Sequence, residues 1–320
     1  MNKRKLGKTG LLVSEIGLGC WPLGGSCIIN GIPLTMGDVN EETTNQIINE
    51  SIRLGINVFD TADFYSLGNS ERRLGNAIKN IRENIFILTK AGAIPSLGLN
   101  KPYEIDISYH HLISSLERSL KRMNVDYVDV FQCHAAPKTE EEFRELEKTF
   151  RDIKKSGKAR FCGVSTGSDH KTGLKLIETG LVDSLQIYFS LLDNTPIEEL
   201  LPAAKKENVG IIVAEPMAKG FLTGKYSDVD AFKNNDYRSN LSKDEIQKRI
   251  KNSNLFRKFT NNSRTLSQLA LSYVLSRNEV STCIPSSKSI EQLKSNVDAT
   301  NLSLTSDELM EIKEIQKFFN

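Results

Sequence analysis

Eight short apolar runs, rich in isoleucine and valine, are each followed by a longer stretch with helical periodicity. No other feature of the chain constrains its fold as much. The runs are SEIGLG (14–19), INVFD (56–60), IFILTK (85–90), YVDVFQCH (127–134), ARFCGVS (159–165), SLQIYF (184–189), GIIVAEP (210–216) and STCIPS (281–286). Runs this short and continuous fit strands buried on both faces, as in parallel sheets. In the stretches between them, Leu112, Leu116 and Leu120 recur at four-residue spacing, and Ile290, Leu293 and Val297 share a helical face. Thr195 with Glu198, Ser242 with Glu245, Ser289 with Gln292 and Thr305 with Glu308 have the spacing of capping boxes. Pro196 falls at the first helical position after Thr195, where its missing N–H costs nothing.

Strands alternating with helices eight times predict an α/β fold, a (β/α)8 TIM barrel, with a short N-terminal β-hairpin and extra C-terminal helices. The competing architecture is an open doubly wound sheet, which carries a glycine-rich phosphate turn after its first strand. The candidate here, IGLGCWPLGG, lacks the GxGxxG spacing and runs into an irregular insert at 22–39, not a helix. The 320 residues suit one large barrel, and no low-complexity linker divides them, so 1–320 reads as a single domain.

Composition excludes several classes. A net charge of +2 provides no field for nucleic acid or an anionic membrane. No apolar run approaches the ~18 residues of a membrane span. The opening MNKRKLGKTG has basic residues without a following apolar region, so no secretory signal is expected. The five cysteines are scattered and no pair has CxxC spacing. They read as reduced thiols of a cytoplasmic protein, with no disulfide framework and no metal site.

In such a barrel the active site lies at the carboxyl ends of the strands. Asp60 ends the second strand, Lys90 the third and His134 the fourth; Ser165 and Thr166 end the fifth, and Tyr65 stands in the loop beyond Asp60. A free phenol, with a pKa near ~10, is a poor proton donor at neutral pH. An adjacent ammonium lowers that pKa, and a carboxylate keeps the ammonium charged and in place. An imidazole nearby orients a carbonyl oxygen. Such a set protonates an alkoxide forming from a carbonyl, or deprotonates an alcohol in reverse. Singly, each residue has a plainer reading: Asp60 as a turn cap, Tyr65 as an interfacial aromatic, Lys90 as a solvated strand end. Their joint occurrence at one mouth carries the chemistry.

FDTADFY, LTK, QCH and GVST stand in that order, followed by PMAKGFLTGKY (216–226) and IPSSKSIEQLKSN (284–296). On these motifs the chain resembles the aldo-keto reductases over nearly its whole length. The resemblance implies the (β/α)8 barrel and a catalytic tetrad of Asp60, Tyr65, Lys90 and His134, with Tyr65 as the acid. It also implies NADPH lying across the barrel mouth without a Rossmann motif, and a small carbonyl or alcohol substrate. Position by position, Ser165 and Gln186 would hold the nicotinamide carboxamide, with Thr166 beside them at the cofactor, and Phe189 would stack on its ring. Pro216, Met217, Gly220, Leu222 and Gly224 would wrap the pyrophosphate with backbone N–H groups. Ile284, Ser286, Lys288, Gln292 and Asn296 would meet the adenosine end. Trp21 would wall the substrate pocket, together with residues 22–39, 91–103 and 217–241.

The family pattern is departed from at three places. Thr166 stands where the family usually has Asn, and Phe189 where it usually has Tyr. Ser286 and Gln292 stand where many members have Lys or Arg, leaving Lys288 as the cation for a 2′-phosphate. These replacements weaken the case for NADPH over NADH, but Lys288 and two serines can make a phosphate site, so NADPH is the expected cofactor and NADH the alternative. Two other readings compete: an NADPH-binding redox-sensing subunit with slow turnover, and a barrel aldolase using Lys90 as a Schiff-base nucleophile.

Overall fold

The computed structural model describes residues 1–98 and 101–319. The chain opens with the hairpin β1 (Lys3–Lys5) and β2 (Leu12–Ser14), then β3 (Leu18–Gly19), a second hairpin of β4 (Ile28–Ile29) and β5 (Ile32–Pro33), and α1 (Glu41–Arg53). Next come β6 (Val58–Asp60), α2 (Asn69–Ile78), β7 (Phe86–Ala91) and a third hairpin of β8 (Ala93–Pro95) and β9 (Tyr103–Ile105). The alternation continues with α3 (Tyr109–Met123), β10 (Val128–Cys133), α4 (Glu140–Lys155), β11 (Ala159–Gly167), α5 (His170–Glu178), β12 (Ser184–Tyr188), α6 (Leu200–Lys206) and β13 (Gly210–Ala214). Finally α7 (Lys243–Asn254), α8 (Leu266–Leu275), β14 (Val280–Cys283), α9 (Ile290–Asp298) and α10 (Ser306–Gln316) complete the chain.

Eight strands form one parallel sheet in the order β14-β13-β12-β11-β10-β7-β6-β3. Its two edges meet: Gly17 N–H donates to Cys283 O at 2.8 Å and Gly19 N–H to Pro285 O at 3.1 Å. The sheet therefore curls closed, as the alternation predicts. Gly19 permits this closure, because a Cβ there would stand 2.6 Å from Ile284 O. Leu6, Leu11 and Val13 of the N-terminal hairpin pack on Val58, Leu88, Val130 and Ile212, and plug the barrel. Arg4 ties the hairpin down by donating to Glu15 and to the carbonyls of Leu275, Arg277 and Val280. The extra helices are α10 at the C-terminus and α7, which is inserted in the connection between β13 and β14 and not at the C-terminus.

The local signals fared unevenly. Leu112, Leu116 and Leu120 are buried on α3, and Thr305 with Glu308 forms a complete capping box. Thr195 and Glu198 do not. Residues Thr195–Ile197 make a 3-10 turn instead, and the Thr195 hydroxyl bonds Asp193 and His170. Those tertiary partners outcompete the local cap. Ser242 and Ser289 cap their helices through one bond each. The complete boxes of Thr139 with Glu142 and Thr265 with Gln268 escaped the sequence reading.

Helices α2 and α3 pack unusually closely at Gly75, where a Cβ would fall 2.4 Å from Met123 O. Since that neighbour is backbone, it cannot yield cheaply. Gly75→Ala is expected to destabilise the fold by about 1–3 kcal/mol, the usual range for overpacking. Urea unfolding checks this; an unchanged midpoint contradicts it.

Candidate active site

Asp60 is the last residue of β6, Lys90 lies near the end of β7, and His134 follows β10. These strands are neighbours in the sheet, so their carboxyl ends converge at one mouth. Lys90 is fully buried, and its ammonium donates to Asp60 Oδ2 at 2.5 Å and to Thr61 O at 2.8 Å. The Tyr65 ring lies over this ion pair, with Lys90 Nζ 4.9 Å from its centroid. It meets His134 edge-on at a centroid distance of 5.7 Å. Tyr65 begins a tight 3-10 turn whose Ser66 and Leu67 have φ of 47° and 52°. Left-handed backbone at two successive non-glycine residues is strained. It is held by the Ser66 hydroxyl, which donates to Gly25 O at 2.8 Å.

The Tyr65 phenol is pushed well above its ordinary value, by burial first and then by the nearby charge of Asp60. This reverses the expected lowering by Lys90. The ammonium is bonded to Asp60, so its charge is largely compensated and desolvation dominates. Tyr65 is thus kept as a protonated phenol. His134 is pushed the other way, down to about 3, by burial and then by Lys90. It is a neutral imidazole whose Nδ1 is buried and has no partner among the described residues.

A cavity of about 830 Å³ opens above these groups. Asp60, Tyr65, His134 and Trp21 line it, and Lys90 sits behind them. Ser165, Thr166, Gln186, Pro216, Met217, Gly220, Ile284, Ser286, Lys288, Gln292 and Asn296 line the same cavity. Three expected cofactor contacts do not. Phe189 is fully buried against Tyr273, with ring centroids 5.5 Å apart. Side chains alternate along β12, so Tyr188 shares the face of Gln186 and lines the cavity in its place. Leu222 is buried in the core, and Gly224 lies off the lining.

The backbone around 220 also differs from expectation. The N–H groups of Gly220 and Leu222 both close on Met217 O, at 2.9 and 3.2 Å. They are engaged within their own turn. The cations of the lining are the side chains of Lys219, Lys225, Lys288 and Arg238. Lys288 donates to Met36 O at 2.8 Å, and Gln292 Oε1 accepts the Lys288 backbone N–H at 2.9 Å. Asn296 donates to Ser287.

Sequence reasoning missed several groups. Gln132 Nε2 donates to Asp60 Oδ1 at 3.3 Å, beside Gln186 Nε2 at 2.8 Å. Its signal was available, since it precedes His134 by two residues and so shares that strand face. Glu215, in the left-handed region at φ 52°, also lines the cavity. Glu71 is fully buried and bonds Thr89 and Arg122. Residues 99 and 100 of the 91–103 loop lie outside the described residues; Ala93, Tyr103 and Ile105 from the hairpin around them line the cavity. Among the described residues, no group of three or more His, Cys, Asp or Glu side chains could hold a metal ion. No described helix is long and apolar enough to cross a membrane.

A closed parallel barrel with an acid, a lysine, a phenol and an imidazole at its mouth defines a class of oxidoreductase. Residues 15–317 match the model of the Aldo/keto reductase family, and the chain belongs to that family. It is 31% identical over 327 residues to the uncharacterized oxidoreductase YqkF of Bacillus subtilis, covering 99% of this chain and 96% of that protein. It is 27% identical over 326 residues to the NADH-specific methylglyoxal reductase of Escherichia coli, covering 95% of each. Among solved structures, the holo form of aldo-keto reductase AKR11C1 from Bacillus halodurans matches with a TM-score of 0.80 and 29% identity. That match covers 98% of this chain and 96% of the other.

The neutral state of His134 sets a pH dependence. Its folded value of about 3 lies below the ordinary value of 6.5, so the unfolded chain binds the extra proton between these limits. Its contribution to stability is complete above about pH 6.5 and is lost as pH falls toward 3. NMR titration should find the His134 ring still neutral at about pH 5. A midpoint for this ring near its ordinary value would contradict the geometry.

Proposed function

We propose that this protein reduces an aldehyde or ketone to the alcohol, or runs the reverse, with a nicotinamide dinucleotide as the hydride carrier. The observation that carries this reading is a protonated phenol and a neutral imidazole facing one cavity, over a buried lysine–carboxylate pair. The lining fits the cofactor. Lys219, Lys225 and Lys288 line the cavity and suit a polyanionic ligand, and the Thr166 hydroxyl is buried there without a partner among the described residues. When bound, the nicotinamide supplies the hydride, which goes to the carbonyl carbon.

The chain's own residues handle the proton. Tyr65 gives its phenolic proton to the carbonyl oxygen as negative charge develops there. Burial keeps that proton in place until the oxygen becomes the stronger base. The Lys90 ammonium, 4.9 Å from the centre of the Tyr65 ring, stabilises the phenolate so formed more than it stabilises the neutral phenol. Asp60 keeps Lys90 charged and fixed, and His134 orients the carbonyl oxygen. In the reverse direction, the phenolate removes the alcohol proton.

Tyr188 takes the place beside the nicotinamide ring, since it faces the cavity from the strand that carries Gln186. Ser165, Thr166 and Gln186 hold the carboxamide. Lys219 and Lys225 meet the phosphates by side-chain charge, and Trp21 walls the substrate end. NADPH is the preferred nucleotide, with Lys288 as the cation for its 2′-phosphate. We read residues 1–320 as one catalytic domain.

Tyr65→Phe tests the mechanism. Turnover should fall by about 10²–10⁴-fold, the range for a lost general acid. NADPH should still quench the fluorescence of Trp21, the single tryptophan. Unchanged turnover would sink the assignment. Lys288→Met should weaken NADPH by about tenfold or more, one charge-assisted contact, and leave NADH within about twofold; equal loss for both would remove the 2′-phosphate role.

A further inference from the structure

Two carboxamides meet at one carboxylate oxygen. Gln132 Nε2 donates to Asp60 Oδ1 at 3.3 Å, and Gln186 Nε2 donates to the same oxygen at 2.8 Å. The other oxygen, Oδ2, takes the Lys90 ammonium at 2.5 Å. All four side chains are buried. The two amides differ in what else can reach them. Gln186 lines the cavity, and the Ser165 hydroxyl donates to its Oε1 at 3.3 Å. Gln132 lies beneath the cavity, in register with Lys90 on β7, and is fully buried. Its Oε1 has no partner among the described residues.

A ligand can therefore compete for Gln186 and cannot reach Gln132. We propose that Gln132 is a positioning residue for the reduction, holding the Asp60 carboxylate against Lys90 when a bound carboxamide claims Gln186. The inference rests on the function proposed above. In the free protein, Asp60 Oδ1 has two donors. Once the Gln186 amide turns to a ligand amide, Gln132 is the donor left on that oxygen. Without it the carboxylate is free to rotate away from Lys90, and the ammonium loses the fixed place from which it stabilises the Tyr65 phenolate. Ligand binding and alignment of the proton donor are thus linked through Gln186, and Gln132 keeps the first from undoing the second.

The test uses Gln132→Met, which removes the donor at similar volume, in the full chain with NADPH and a carbonyl substrate that the wild type reduces. The NADPH dissociation constant, read by Trp21 quenching, should stay within about twofold of wild type. The kcat at neutral pH should fall by about tenfold, the worth of one hydrogen bond to a charged group. The loss should appear in kcat and not in NADPH binding, because the donor removed holds Asp60 and does not line the cavity. Gln132→Asn, whose amide is one methylene too short to reach Asp60 Oδ1, should lower kcat in the same way and serves if the methionine variant fails to fold. Gln186→Met, by contrast, should weaken NADPH itself. An unchanged kcat in whichever Gln132 variant folds would overturn the proposal. So would a loss of NADPH affinity equal to the loss of kcat. Wild-type protein that binds NADPH but reduces no carbonyl would instead overturn the functional reading, and the role of Gln132 with it.

Discussion

The site depends on one buried ion pair, Lys90 with Asp60. Removing two charges from water is expensive, and their attraction repays the cost only when the remaining lone pairs and protons are satisfied. Here they are: Thr61 O takes a second ammonium proton, and two carboxamides share the free carboxylate oxygen. A lysine in this place cannot swing out to solvent, so its charge stays under the Tyr65 ring. The barrel makes the arrangement possible, since adjacent parallel strands end at the same level. The members of the network come from β6, β7, β10 and β12, which no local sequence segment could bring together.

Above the ion pair, the mouth is built from loops that are tied to each other. Met36 pairs with Asp236, and Tyr237 N–H donates to Thr35 O at 2.8 Å, so the 22–39 insert and the 217–241 segment cross-link beside the cavity. Arg238 anchors the second segment, paired with Asp236 and stacked on Tyr226 and Phe232. Trp21 meets Tyr237 edge-on at 5.4 Å. Loops of this length are ordinarily loose; here, buried aromatic and ionic contacts give them definite places around the cavity.

Much of the fold was legible because strand and helix periodicities are local. Each of the eight apolar runs overlaps a barrel strand, and Leu112, Leu116 and Leu120 face the core as their spacing indicates. Asp60, Lys90 and His134 were legible for the same reason, as polar residues ending apolar strands. The failures were positional or environmental. Phe189 and Tyr188 are adjacent, and a one-residue step exchanges the two faces of a strand. Thr195 has a good capping pattern, but His170 and Asp193, brought near by folding, take its hydroxyl.

From the sequence alone came the alternation that demands a closed parallel barrel, the motifs that mark the family, and the set of side chains at the barrel mouth. These follow from order and spacing along the chain. The protonation states were decided only in the tertiary structure. Burial outweighs the lysine at Tyr65 and keeps the phenol protonated, and burial with Lys90 keeps His134 neutral. The tertiary structure also brought Gln132 to Asp60 and engaged the backbone N–H groups of Gly220 and Leu222. Desolvation and hydrogen-bond competition depend on what surrounds a group in space, and the sequence order of its neighbours does not contain that information.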